Sequence, residues 1–115
     1  MEQKMEKFTL ELSCCTVENC HFVCGRYNEP NNLALLVEND NGETVAVCSV
    51  NPKKKKSDNV LCVKDWSENE GMLEFLMKQN IIEYSYDVSD CEFSGFVAII
   101  AYKLTDKGKQ LFANV

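Results

Sequence analysis

The sequence has few of the residues on which common enzyme sites are built. His21 is the only histidine among 115 residues, and the five glycines form no phosphate-binding motif. Catalysis by a cysteine nucleophile usually needs a histidine base within hydrogen-bond reach. On an alternating strand, Cys20 and Cys24 would lie on the face opposite His21. Because no carboxylate pair stands out either, we expect that the protein is not an enzyme.

The sequence also lacks a long apolar run. No stretch approaches the roughly 20 apolar residues that a membrane-spanning helix needs. The first residues, MEQKMEKFTLEL, place acids where a signal peptide has a cationic start. We therefore expect a cytoplasmic protein with no membrane partner. Its 115 residues, of which 45% are hydrophobic, predict a single domain over 1–115.

Alternating apolar residues predict an α+β fold dominated by strands. Ser67 and Glu70 match a capping box, which predicts one helix over residues 67–80 that ends at Asn80. Asn41 and Gly42 predict a type I′ hairpin turn. The predicted strands are 7–14, 20–27, 32–39, 43–51, 60–65, 81–88 and 91–104. We expect one antiparallel, twisted sheet of about six to seven strands packed against this helix.

Seven cysteines are more than a core of this size needs. Four of them, Cys14, Cys15, Cys20 and Cys24, lie with His21 in the stretch SCCTVENCHFVCGRY. Disulfides are rare in a reducing compartment, and an odd number of cysteines fits a closed disulfide framework poorly. Two interpretations are left open, namely a structural zinc site and burial of the thiols as small apolar side chains.

The zinc interpretation depends on how the chain turns between the first two strands. A turn at residues 16–19 would bring Cys14 or Cys15 near Cys20. Cys20 and Cys24 share a strand face but are roughly 13 Å apart along an ideal strand. One ion could hold both only if the strand bends or if another ligand replaces one of them. The predicted ligands are therefore these four cysteines, with His21 as the alternate ligand.

Acidic residues are concentrated in one part of a chain whose net charge is −6. Between residues 65 and 92, Lys78 is the only base. An acidic surface repels nucleic acid and suits a basic protein partner, although a solvated surface without a partner is an alternative. The aromatic residues Trp66, Tyr84, Tyr86 and Phe93 lie among these acids and are either interface anchors or core residues. The predicted partner-binding acids are Asp65, Glu68, Glu70, Glu74, Glu83, Asp87, Asp90 and Glu92.

The order of several short motifs resembles a family of small proteins from plasmids, phages and conjugative elements of gut bacteria and other Firmicutes. The motifs are Asn31-Asn32-Leu33, Gly42-Glu43, Val50-Asn51, the segment 68–80 and Ser94-Gly95-Phe96. The similarity covers residues 25–104, and it implies no enzymatic activity. The cysteine cluster is not part of this pattern.

The chain also resembles small anti-defence proteins that inhibit type II CRISPR effectors. It shares their small size, their acidity and their similarity to proteins of mobile elements. The resemblance implies a non-enzymatic inhibitor, a monomer or weak dimer, that binds a basic defence protein such as Cas9 and blocks nucleic-acid loading or activity. The four lysines Lys53 to Lys56 predict an exposed basic loop. One alternative is therefore a metal-stabilised module that binds a protein, or that binds nucleic acid through Lys53 to Lys56. Another is a cysteine-based enzyme or redox protein with a thiol of lowered pKa.

Overall fold

Antiparallel strands and two short helices make up the regular structure of residues 6–115, the part of the chain that this computed structural model describes. The strands are Phe8–Glu11 (β1), Thr16–Arg26 (β2), Leu33–Glu38 (β3), Thr44–Val47 (β4), Val60–Cys62 (β5), Ile82–Tyr86 (β6), Glu92–Ser94 (β7), Val97–Ile99 (β8) and Ala101–Leu104 (β9). The helices are Met72–Lys78 (α1) and Asp106–Leu111 (α2), and Ser67–Asn69 and Val88–Asp90 form single 3₁₀ turns. The prediction of an α+β class is confirmed.

The strands form separate small sheets, so the predicted single sheet of six to seven strands against one helix is wrong. A four-stranded sheet has the order β1-β2-β3-β4, a three-stranded sheet has the order β5-β9-β6, and β7 pairs with β8 alone. Every pairing between these strands is antiparallel.

Ser49 marks the place where the first sheet stops. The amide of Cys48 still donates to Leu35 O at 2.8 Å, but the amide of Leu35 donates to the hydroxyl of Ser49 at 3.0 Å. A side chain here takes the position that a backbone carbonyl has in a regular ladder. Beyond this point the chain reaches β5 through one isolated bridge, Ser49 to Val63. The two larger sheets are therefore linked by a single bridge and are not continuous.

The last predicted strand, 91–104, is in fact a hairpin followed by a strand. Ser94 pairs with Val97, and Gly95 has a φ of 63° in the two-residue loop between them. Glycine at the first loop position is typical of a type II′ turn. Because β6 pairs with β9 and β7 pairs with β8, residues 82–104 form one long hairpin whose turn is at Gly95 and Phe96. We call these residues the hairpin arm.

The predicted helix is shorter than 67–80 and is capped differently. Gly71, with a φ of 100°, separates the 3₁₀ turn from α1, and Ser67 makes no capping bond. The carboxylate of Asp65 accepts the amide of Leu73 at 2.9 Å instead. Asn80 ends the helix as predicted, since it has a φ of 59° and its amide donates to Met77 O at 3.0 Å.

The main core joins the four-stranded sheet, α1 and the buried residues of the three-stranded sheet. Phe75 of α1 contacts Phe8 of β1 and Phe22 of β2, with ring centroids 5.4 Å and 6.1 Å away. A smaller cluster of Cys62, Ile99 and Ala101 is buried under Trp66. Within residues 6–115, no helix is long and apolar enough to cross a membrane.

Candidate protein-binding surface

The turn between β1 and β2 lies earlier than predicted, and this changes the arrangement of the cysteines. Leu12 and Cys15 exchange backbone hydrogen bonds of 2.9 Å and 3.4 Å, and β2 already begins at Thr16. The predicted turn at residues 16–19 is therefore wrong. Cys14 and Cys15 lie at the turn itself and are exposed.

The four predicted zinc ligands do not converge. The thiol of Cys14 donates to Glu68 O at 3.1 Å, and that of Cys20, which is fully buried, donates to Val17 O at 3.4 Å. Cys24 is half-buried against the core, where burial raises its pKa to about 11. His21 contacts the carboxylate of Glu38 at 3.3 Å. In the described part of the chain no group of three or more His, Cys, Asp or Glu is placed to hold a metal, and zinc binding stays a prediction.

Two of the three cysteines outside the cluster, Cys48 and Cys62, behave as small apolar residues. Cys48 is fully buried in the main core, and Cys62 is buried in the smaller one. Burial raises the pKa of both thiols, that of Cys62 to about 12. Because both side chains are packed among buried apolar residues, these two cysteines fit the interpretation as core side chains.

One predicted partner-binding acid, Glu92, is used inside the protein. Its carboxylate accepts the amides of Lys53 and Lys54 at 2.9 Å and 3.0 Å and pairs with Lys56 Nζ at 3.0 Å. The side chains of Lys56 and Glu92 are only 7% and 14% exposed. The prediction that residues 53–56 form an exposed basic loop is therefore wrong for Lys56, whose ammonium fixes the start of β7.

The acids around α1 are mostly engaged with their neighbours. Glu68 pairs with Lys64, and Glu74 pairs with Lys78 at 3.4 Å. Asp65 caps α1, and Glu70 is exposed. Since two of these carboxylates have a cation beside them, the field of this segment is weaker than its count of acids indicates.

Apart from Glu92, the acids of the hairpin arm have no lysine or arginine of residues 6–115 within ion-pair distance. Glu83 in β6 and Asp87 just after it are exposed, and Asp90 is half-buried. Asp87 accepts the amide and the hydroxyl of Ser89 at 3.0 Å and 2.8 Å. These hydrogen bonds lower the pKa of Asp87, so the carboxylate is charged over the whole neutral range.

Large apolar side chains of the arm point into solvent. Tyr84, Tyr86 and Phe93 are 65%, 39% and 77% exposed, and Phe96 at the tip is fully exposed. Val88, which lies between Tyr86 and Phe93 in the sequence, is also exposed. Several large apolar side chains left exposed on one segment are typical of an interaction surface. Of Trp66, Tyr84, Tyr86 and Phe93, only Trp66 packs against a buried cluster.

Three tyrosines form a packed corner at the base of the arm. Tyr86 lies directly opposite Tyr102 of β9, and their ring centroids are 5.6 Å apart at 78°. Tyr84 is 6.1 Å from Tyr86 at 87° and 6.0 Å from Tyr102 at 38°. Tyr102 is buried beneath the other two. We call these three residues the tyrosine corner.

The chain matches no protein-family model, and neither the curated proteins nor the solved structures show significant similarity to it. The resemblance to proteins of mobile elements stays a prediction from the sequence motifs. The function therefore has to be argued from the surface of the hairpin arm.

Proposed function

We propose that this chain is a non-enzymatic inhibitor that binds a basic surface of a bacterial defence effector through its hairpin arm. Binding would block the loading or the action of nucleic acid on that effector. The observation that carries the proposal is the run of exposed aromatic side chains, Tyr84, Tyr86, Phe93 and Phe96, alongside the acids Glu83 and Asp87.

The aromatic residues would supply most of the affinity. Interfaces draw their binding energy from a few buried anchors, which are most often aromatic residues and arginine. Phe93 and Phe96 already lie in solvent, so a partner pocket would gain about 1.5–3 kcal/mol for each side chain that it buries fully. A two-residue turn presents Phe96 at the tip of a narrow hairpin, a shape that fits a cleft.

The acids would supply the selectivity for a basic partner. Complementary charge speeds the encounter of two proteins and disfavours partners of the wrong sign. Proteins that hold nucleic acid have basic grooves, and the resemblance described above favours an effector such as Cas9. The arm is a better candidate than α1, because Glu68 and Glu74 are paired with lysines and α1 exposes no aromatic residue.

Direct binding to Cas9, with and without its guide RNA, tests the proposal. The variant Phe93→Ser/Phe96→Ser should weaken binding about tenfold or more, while Val47→Ser/Met77→Ser should leave it unchanged. This control removes two apolar side chains that are also exposed but lie outside the arm. If the wild-type chain binds, competition between the chain and guide RNA locates the blocked step.

A second pair of variants separates the arm from the helix. Glu83→Lys should lower the association rate more than Glu74→Lys, because Glu74 is paired with Lys78. Equal effects of the two reversals would place the contact on α1. Failure of the wild-type chain to bind Cas9 or any other basic effector would overturn the proposal.

A further inference from the structure

We infer that the tyrosine corner is a recognition site for an arginine side chain in a basic segment of the partner. This inference rests on the proposed function and deepens it, because it names the group that the base of the arm would bind. The corner is formed by Tyr84, Tyr86 and Tyr102 on one face of the three-stranded sheet.

The geometry of the rings favours a flat cation. Tyr84 and Tyr86 are almost perpendicular, at 87°, and both pack on the buried Tyr102, so exposed parts of two differently oriented rings face solvent at one place. A cation is attracted to an aromatic face when it lies within about 6 Å of the ring centroid. The three centroids are 5.6 to 6.1 Å apart. A group placed above the corner is therefore within range of more than one ring.

The fold holds this corner in place before any ligand binds. Tyr84 and Tyr86 alternate with Ser85 along β6, so their side chains leave the same face of the strand. The pairing of Tyr86 with Tyr102 places the third ring opposite them. Because Tyr102 is buried, its side chain has already lost its freedom. A preorganised site loses less entropy when it binds a ligand.

The charges around the corner favour a cation over a neutral side chain. Glu83 and Asp87 flank Tyr84 and Tyr86 in the sequence, and both are exposed. Burial raises the pKa of Tyr102, and Tyr84 and Asp65 add to this effect. The charge of Lys103 helps to lower the pKa of Asp87 and so offsets part of the acidic charge.

Arginine fits this site better than lysine. Its guanidinium is planar, stacks on aromatic faces and is more weakly hydrated than an ammonium. A lysine would bring the same charge but would give up more hydration to reach the rings. An apolar side chain would gain the ring contacts but nothing from the neighbouring acids.

Three short peptides that differ at one kind of residue test the inference without the effector. They carry arginine, lysine or citrulline in the same neutral background, and citrulline keeps the planar shape but lacks the charge. Tyrosine ring signals in NMR spectra report binding at the corner. We expect the arginine peptide to shift the Tyr84 and Tyr86 signals and to bind about fivefold more tightly than the lysine peptide.

Two variants at one position show whether the ring is responsible. Tyr84→Leu should lose about fivefold in affinity for the arginine peptide, and Tyr84→Phe should keep it, because the ring face remains. Tyr84 is mostly exposed, and urea unfolding of both variants checks that the fold is unchanged. Equal binding of arginine and lysine peptides, equal binding of the citrulline peptide, or no effect of Tyr84→Leu would each overturn the inference.

The peptide assay and the effector assay can refute the inference and the proposed function independently. Arginine binding at the corner together with no binding to any defence effector would support the inference and overturn the proposed function. Effector binding that is insensitive to Tyr84→Leu but lost in Phe93→Ser/Phe96→Ser would leave the proposed function in place and overturn the inference.

Discussion

Among the ion pairs of residues 6–115, the buried pair between Lys56 and Glu92 should lower the free energy of unfolding most when it is broken. The perturbation is Lys56→Met, which keeps the apolar stem of the side chain and removes the ammonium. Glu92 would keep the two amide donors of Lys53 and Lys54 but lose its only counter-charge within ion-pair distance. Removing one partner of a buried pair costs about 3–5 kcal/mol. Since two donors remain, we expect about 3 kcal/mol.

The matched control is Lys55→Met, one residue earlier in the same segment. Lys55 pairs with Asp58 at 2.9 Å, but the side chains of this pair are about half exposed. Exposed pairs contribute at most about 1 kcal/mol. Urea unfolding followed by circular dichroism gives the free energy of unfolding of each variant. Equal destabilisation by the two substitutions, or a loss below about 1 kcal/mol for Lys56→Met, would refute the argument.

The pH dependence of stability gives a second readout of the same pair. Burial alone would raise the pKa of Glu92, but hydrogen bonds from Lys53 N, Lys56 Nζ and Lys54 N together hold it below its usual value. The contribution is therefore present above the unfolded pKa of about 4.3 and is lost as the pH falls through the lower folded pKa. Lys56→Met should flatten this acid limb of the stability curve, and Lys55→Met should leave the part due to Glu92 in place.

Three further substitutions or measurements test the local structure and the cysteines. Asp65→Ala should destabilise the protein by about 1 kcal/mol because it removes the cap of α1, whereas Ser67→Ala should have little effect in the same unfolding assay. Gly108→Ala should destabilise rather than stabilise α2, since the new Cβ would collide with the backbone carbonyl of Ile81; a rise in melting temperature would contradict this. At pH 8, Cys14 and Cys15 should react with a thiol reagent before the buried cysteines, and all seven should react in urea. Elemental analysis of protein purified without a chelator tests the zinc site. Bound zinc that protects Cys14 and Cys15 from labelling would support the site. Protein that is purified without zinc and labels rapidly at both cysteines would contradict it.

Local patterns predicted local structure well. The hairpin between β3 and β4 forms where Asn41 and Gly42 indicate it, although only Gly42 has a positive φ. The turn is therefore not type I′, which needs positive φ at both central residues. The end of α1 at Asn80 was also correct, because a left-handed residue followed by the buried Ile81 satisfies the last carbonyls.

Contacts distant in sequence were the ones that sequence patterns could not give. Ser67 and Glu70 have the spacing of a capping box, but the carboxylate of Asp65 accepts the amide of Leu73 at the start of α1 instead. Gly71 also separates Ser67 and Glu70 from this helix. Lys56 looked like part of an exposed basic run, and its burial depends on Glu92, which lies far along the chain. No periodicity in one segment contains information about such a pairing.

The candidate surface was predicted only in part for the same reason. The acids and three of the exposed aromatics, Tyr84, Tyr86 and Phe93, stand out in the sequence. Whether an aromatic side chain is buried depends on which sheet its strand joins, and the expected single sheet would have covered these residues. Phe96 was missed because Ser94-Gly95-Phe96 was read as part of a strand, whereas Gly95 turns the chain.

The tip of the arm depends on the rest of the protein for its order. A two-stranded hairpin is marginally stable by itself in water, and β7 and β8 pair only with each other. Glu92 at the start of β7 is fixed by Lys56 and by two backbone amides. We therefore expect Lys56→Met to weaken partner binding under conditions in which the protein is still folded, because Phe93 and Phe96 would no longer be held in one arrangement. Unchanged effector affinity in folded Lys56→Met would show that the tip orders itself, or that the partner orders it.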